Sequence, residues 1–190
     1  MSEIEVPVEQ IQENLMEKVH EAKAHGDKST SWFEGVALSS ALLAVIAAVS
    51  ALLAGHHANE ALIEQIQSSD QWSYYQAKGI KSNVLSSKVQ LLKELGKTVQ
   101  PEDLEKLKQY KGDQEEISAV AKEKEELSKG HMQVHSFFAK AVTFFQIAIA
   151  VSAISVLVRR RRFWFVSLGF GAVGLVIFVQ GFLAPLGGFH

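Results

Sequence analysis

Three long, almost uncharged apolar stretches constrain the fold of this chain more than any other feature of its sequence. They cover residues 32–54, 136–158 and 163–183. Each is close to the roughly 20 residues that a helix needs to cross a hydrocarbon layer about 30 Å thick. A soluble chain of 190 residues would have too little polar sequence left to cover three such helices. The sequence therefore predicts an all-α membrane protein with three transmembrane helices and the lipid bilayer as its partner.

The polar segments complete the predicted domain organisation. Residues 1–31 form a tail, expected to be partly helical, whose seven acidic side chains do not fit the basic start of a signal peptide. Residues 55–135 are polar and highly charged, residues 159–162 are all arginine, and residues 184–190 form a C-terminal tail. The first span is therefore expected to be a retained anchor.

The arginine run predicts the orientation of the chain. Arg159, Arg160, Arg161 and Arg162 make up the whole predicted loop between the second and third spans. Short loops rich in arginine stay in the cytoplasm. With three spans, this places the N-terminal tail in the cytoplasm and residues 55–135 on the periplasmic or external side of a plasma membrane.

Residues 55–135 have the composition of long helices, with Glu, Lys, Gln, Leu and Ala predominating. The clearest break lies between Gly96 and Pro101, the only proline of the segment. Glycine commonly follows the end of a helix, and proline suits the first turn of the next one. We therefore predict a long external antiparallel helical hairpin with arms at residues 55–95 and 101–135.

Heptad-like spacing along both arms predicts how they pair. The seam of the first arm comprises Ile63, Ile66, Asp70, Ser73, Ala77, Ile80, Val84, Ser87 and Leu91. The seam of the second arm comprises Ile117, Val120, Lys124, Leu127, His131 and Val134. Because several of these positions are polar, one hairpin alone is expected to be weak. We predict a homo-oligomer, and an unidentified protein partner is a further hypothesis.

Asp70 stands at a seam position where an apolar residue is expected, and an unpaired carboxylate there would be costly. Counting back from the turn predicts a polar contact from Asp70 to Lys124 or His131, within one hairpin or across an oligomer interface. The alternative is a seam rotated through Leu62, Ile66 and Ser69, which leaves Asp70 in water.

Several kinds of chemistry find little support in the sequence. The chain has no cysteine, which excludes disulfides. Its net charge of −2 gives no argument for a nucleic-acid partner. His131 and His135 have a metal-ligand spacing, and Glu64 lies near them on the other predicted arm. Histidines hydrogen-bonded near lipid headgroups explain the pair better. We therefore predict no catalytic residue, metal or cofactor.

The stretch from Gly55 to Asn83, GHHANEALIEQIQSSDQWSYYQAKGIKSN, resembles a signature block of a known family. That family comprises small bacterial membrane proteins described as a domain of unknown function. The resemblance implies a three-span bacterial membrane protein and supplies no reaction and no site.

Two functional hypotheses of different classes remain open. In the first, the protein is a non-enzymatic membrane scaffold that self-assembles through its spans and helical hairpins. In the second, the homo-oligomer encloses a pore or channel. A metal-dependent enzyme that uses His131 and His135 has the least support.

Overall fold

A computed structural model describes residues 13–14, 16–20 and 30–184 of the chain. Helix α1 spans Thr30–Glu94, helix α2 spans Pro101–Leu157 and helix α3 spans Arg161–Leu183. Within the described residues there is no strand, so the prediction of an all-helical fold is confirmed.

Helices α1 and α2 each run without a break from a predicted span into a predicted arm. Gly55, at the predicted boundary of the first span, lies inside α1. Each of the three helices is long and apolar enough to cross a membrane. The predicted tails, residues 1–31 and 184–190, lie largely outside the described residues.

The described residues form two compact units. The first unit, called the span unit below, holds the residues before Ala58 and after Met132. The second, called the arm unit, is Ala58–Met132. Helices α1 and α2 pass through both units, and α3 belongs to the span unit.

Backbone hydrogen bonds end α1 at the predicted break. Gly96 has a φ of 65°, in the left-handed region that glycine adopts without steric cost. The Gly96 amide donates to the carbonyl of Lys93, and the Lys97 amide donates to that of Leu92. This pair of bonds is a Schellman motif, which satisfies the last carbonyls of the helix. Helix α2 then begins at Pro101, as the sequence predicts.

The same motif ends α2, but with an arginine in the left-handed position. Arg159 has a φ of 52°; its amide donates to Val156, and the Arg160 amide donates to Ser155. Helix α3 then starts at Arg161, so two of the four arginines lie in its first turn. Positive charge is unfavourable at the N-terminus of a helix. The interaction with the helix dipole therefore does not explain why α3 begins at these arginines.

Glycines of α3 bring it close to the other helices of the span unit. A side chain at Gly174 would meet Phe145 at 2.8 Å, and one at Gly181 would meet Phe138 at 2.9 Å. Gly171 lies in the same way against Leu43 of α1. The absence of a side chain therefore allows close helix packing at these three positions, whereas Gly169 has open space around it.

Serine hydroxyls join the helices inside the span unit. The hydroxyls of Ser40 on α1 and Ser152 on α2 lie 2.6 Å apart, and Ser167 of α3 donates to the carbonyl of Ala148 at 2.6 Å. All three serines are buried. Buried hydroxyls of this kind have their hydrogen bonds within the protein, so they do not oppose transfer of the unit into an apolar environment.

Candidate interaction surfaces

Small side chains make up much of the contact between α1 and α2 inside the arm unit. Five of them are at most 8% exposed: Ala61, Ser68, Ser82, Ala121 and Ser128. Ser68 Oγ donates to the carbonyl oxygen of Ala121 at 2.9 Å, and Ser128 Oγ donates to that of Ala61 at 2.8 Å. A serine hydroxyl extends only a short way from its own backbone, so these bonds require close approach of the two helices. We call this row of residues the small-residue seam.

Two ion pairs extend the contact between α1 and α2 towards the turn. Lys78 Nζ lies 2.7 Å from Asp113 Oδ2, and Lys88 Nζ lies 2.8 Å from Asp103 Oδ2. Residue numbers rise along α1 while those of the partners fall along α2. Within the arm unit, the two helices therefore pack in antiparallel order.

Lys78 sits among groups that favour its charged form. Its ammonium lies 5.3 Å from the ring centre of Tyr74 and 5.4 Å from that of Tyr110. The hydrogen bond to Asp113, followed by one involving Tyr74, raises the pKa of Lys78 above its ordinary value. This lysine joins the two helices by an ion pair and by contact with an aromatic ring on each.

Lys124 pairs with Glu64 rather than with Asp70. The Lys124 ammonium is 2.9 Å from Glu64 Oε2, and Asp70 is exposed. That Glu64 oxygen is buried and makes no hydrogen bond of good geometry, so the attraction to Lys124 is its main compensation. His131 is half-buried. A contact from Asp70 across an oligomer interface stays a prediction.

The predicted first-arm seam faces outward instead of towards α2. Ile63, Ile66, Ile80, Val84 and Leu91 are 46 to 67% exposed. The remaining members, Asp70, Ser73, Ala77 and Ser87, are exposed as well. The prediction that these residues pair the arms is therefore wrong. The alternative is wrong in its rotated seam, because Leu62, Ile66 and Ser69 are also exposed, but right in leaving Asp70 exposed. We call this face of α1 the outward seam.

The small-residue seam was missed because large apolar side chains were expected at the helix contact. A sequence signal for it exists, since Ala54, Ala61 and Ser68 follow one another at seven-residue intervals and Ser82 lies two intervals further on. On the second arm the prediction was better: Ile117 and Val134 are buried, and Lys124 is half-buried.

The candidate metal ligands have other partners in the structure. His135 Nδ1 donates to the carbonyl oxygen of Ala54 at 2.8 Å, so that nitrogen carries a proton. Glu64 is held by Lys124. In the part of the chain that the structure describes, no group of three His, Asp or Glu side chains could hold a metal ion.

The arginine end of the span unit is rich in aromatic contacts. The guanidinium of Arg161 lies 5.7 Å from the ring centre of Trp32, and Trp164 Nε1 donates to Ser39 Oγ at 3.1 Å. All four arginines are exposed. A tryptophan beside an arginine is typical of the membrane–water interface, because the indole ring is largely apolar and the guanidinium charge needs contact with water.

Taken together, the described residues define an all-helical chain with three helices long and apolar enough to span a membrane. The family profile described as "Domain of unknown function (DUF4337)" matches residues 32–184. The chain belongs to this family. Comparison with curated proteins and with solved structures gave no match.

Proposed function

We propose that the protein is a non-enzymatic integral membrane scaffold that self-assembles through its spans and its helical hairpins. The observation that best supports self-assembly is the outward seam, where a charged, water-facing segment keeps large apolar side chains exposed. Exposed apolar surface of this kind commonly marks an interaction site.

The membrane part of the proposal is supported by the surface of the span unit. Large apolar side chains are exposed along all three helices there, including Leu42, Val45 and Leu52 of α1, Ile154 of α2 and Val176 of α3. In water such a surface would be highly unfavourable, whereas lipid would cover it.

We further propose that the chain is a multi-pass protein of a bacterial inner membrane. The exposed arginines at residues 159–162 favour a cytoplasmic position for that turn. The N-terminus is then cytoplasmic, and residues 55–135 form the external antiparallel hairpin. In this arrangement the outward seam lies in the aqueous phase outside the bilayer, where it is available to another protein.

The test is the mass of the full chain purified in a mild, non-denaturing detergent, measured by native mass spectrometry. A multiple of the 20.9 kDa chain mass is expected. Replacing the exposed Ala48 of the first span by Phe is expected to shift the population towards the monomer, because small residues allow close approach of membrane helices. Ala172→Phe, at an exposed position of α3, is the matched control. A wild-type monomer would overturn the proposal.

Two polar side chains favour a pore as the second candidate. Gln180 is exposed on α3 and Gln146 is half-exposed on α2, each within a segment apolar enough to cross a membrane. An amide facing lipid would lack hydrogen-bond partners, whereas an assembly interface or a water-filled axis would supply them. A density map of the assembly separates the candidates: a continuous water-filled axis lined by these glutamines indicates a pore, and a packed axis indicates a scaffold.

A further inference from the structure

The outward seam has the spacing of a coiled-coil interface. Its nine positions, from Ile63 to Leu91, alternate between steps of three and four residues. This is the a/d pattern of a heptad repeat, in which every position lies on one face of a helix. Within one chain all nine are exposed, so none of them is buried against α2. The arm unit therefore carries a second, unpartnered heptad face besides the small-residue seam.

The outward face of α2 is much more highly charged than the outward seam of α1. Its exposed side chains are mostly charged: Glu105, Lys106, Lys108, Lys111, Glu115, Glu116, Lys122, Glu123, Glu126 and Lys129. The large apolar side chains exposed on α2 within the arm unit are Leu104 and Met132. Such a face is suited to water, so most of the apolar surface that a partner would cover lies on α1.

We propose that the outward seam binds the outward seam of a second copy of this chain, with the two α1 helices parallel. This inference rests on the proposed membrane scaffold, because copies inserted with the same orientation present their α1 helices in the same direction. A self-complementary contact about a two-fold axis needs only one type of surface on each copy. The apolar face of α1 is such a surface.

The residues beside the seam are compatible with the parallel orientation. With Ile63 at an a position, Lys81 and Lys88 fall at e positions, and the g positions are Leu62, Ser69, Gln76, Asn83 and Gln90. In a parallel pair each e position faces a g position of the other helix, so the lysines meet uncharged side chains. In an antiparallel pair e positions face each other, but lysine meets lysine there only in a register shifted towards the turn, so the common orientation of the copies in the membrane, rather than these side chains, sets the parallel arrangement.

Asp70 limits the strength of this contact. It occupies an a position, so in a parallel pair it faces Asp70 of the second copy, and two like charges oppose each other at the interface. The seam also contains Ser73, Ala77 and Ser87, which bury little apolar surface. The pair is therefore weak in isolation and depends on the membrane, which keeps the two copies at high effective concentration.

Disulfide trapping in native membranes tests the inference, since the chain has no cysteine of its own. Single variants Ala77→Cys and Leu91→Cys are expected to form cross-linked dimers rapidly on mild oxidation. Ala119→Cys, at an exposed position of α2, is the matched control and is expected to stay monomeric. Cross-linking at only one of the two seam positions would overturn the parallel orientation, because an antiparallel pair brings equivalent residues together only near its axis.

Two substitutions, each made in the Leu91→Cys background, test the energetics by the extent of cross-linking in native membranes. Ile80→Glu is expected to weaken dimerisation by about tenfold or more, and Asp70→Leu to strengthen it by about tenfold or more, because it removes two opposed charges. Both positions are exposed within one chain, so helix content by circular dichroism should stay at the wild-type value. Weaker association of Asp70→Leu would overturn the parallel register.

The outcomes separate this inference from the proposed function. If the wild-type protein is oligomeric but the two seam cysteines cross-link no faster than the Ala119→Cys control, the interface lies elsewhere and only this inference fails. If the wild-type protein is monomeric, the proposed self-assembly fails together with it.

Discussion

The hydroxyl of Ser68 on α1 lies 2.9 Å from the carbonyl oxygen of Ala121 on α2 and donates a hydrogen bond to it. Serine within a helix often bonds instead to a carbonyl one turn earlier on its own helix, as Ser73 does with Ser69. The bond across the arm unit therefore reports that the two backbones are close. The size of the side chain at position 68 consequently matters more than its hydrophobicity.

Ser68→Leu is expected to destabilise the arm unit by about 1–3 kcal/mol, because a larger side chain must push two closely packed helices apart. Thermal unfolding of the full chain in mild detergent, followed by circular dichroism, measures this effect. Ser86→Leu, at an exposed position of the same helix, is the matched control and should leave the unfolding temperature nearly unchanged. Equal shifts in the two variants would show that position 68 is not size-limited.

Lys78 gives a prediction for pH dependence. Because the native pKa of Lys78 is raised by its hydrogen bonds to Asp113 and Tyr74, its charged form stabilises the fold. That contribution is complete below the ordinary lysine pKa of about 10.4 and is lost as pH rises through the higher native pKa. Lys78→Met should therefore unfold at a lower temperature than wild type at pH 8, and the difference should narrow at strongly alkaline pH.

Lys122→Met, at an exposed position of α2, serves as the control for this experiment. It should follow the wild-type unfolding temperature at both pH values. A gap between Lys78→Met and wild type that stayed constant up to strongly alkaline pH would mean that the ammonium charge contributes nothing at this site.

The orientation of the chain can be tested with single cysteines, because the natural sequence has none. In cells whose outer membrane has been permeabilised, Ser86→Cys should react with an impermeant thiol reagent. Val158→Cys, next to the arginines and 49% exposed, should react only after the inner membrane is disrupted. The reverse labelling pattern would invert the proposed topology while leaving the three spans in place.

Arg159 is expected to cost stability. Its φ of 52° is unfavourable for any residue with a Cβ atom, by about 1–2 kcal/mol. Arg159→Gly should therefore raise the unfolding temperature by a few degrees. Arg160→Gly removes the same charge, but at a φ of −121°, where glycine brings no relief. If the two variants had the same effect, the backbone conformation would not be the cause.

The fold could be predicted from sequence wherever one strong physical requirement acts alone. Apolar length identified the three helices that could cross a membrane, and the Gly96–Pro101 pair located the turn between α1 and α2. Close helix packing at Gly171, Gly174 and Gly181 follows from the absence of a side chain at these positions. In each case one requirement outweighs all others in the segment.

The pairing of the arms could not be predicted in the same way, because two heptad patterns coexist on α1. The row containing Ile63 and Val84 has the larger side chains and looks like a helix contact by hydrophobicity. The row containing Ala61 and Ser68 allows the closer approach, and α2 packs there. Helix pairing depends on the three-dimensional fit of both faces at once, which a one-dimensional pattern does not contain.

The contacts of the small-residue seam limit the lengths that the two arms can have. Ala61 and Ser68 are seven residues apart on α1, and Ala121 and Ser128 are seven apart on α2. Two turns of helix take about seven residues, so a matched deletion of seven from each arm rotates neither face appreciably. Loss of a single residue turns every later side chain by about 100° and moves bulky groups into the seam. Related chains with longer or shorter arms should therefore differ by multiples of seven residues, with the same change on both helices.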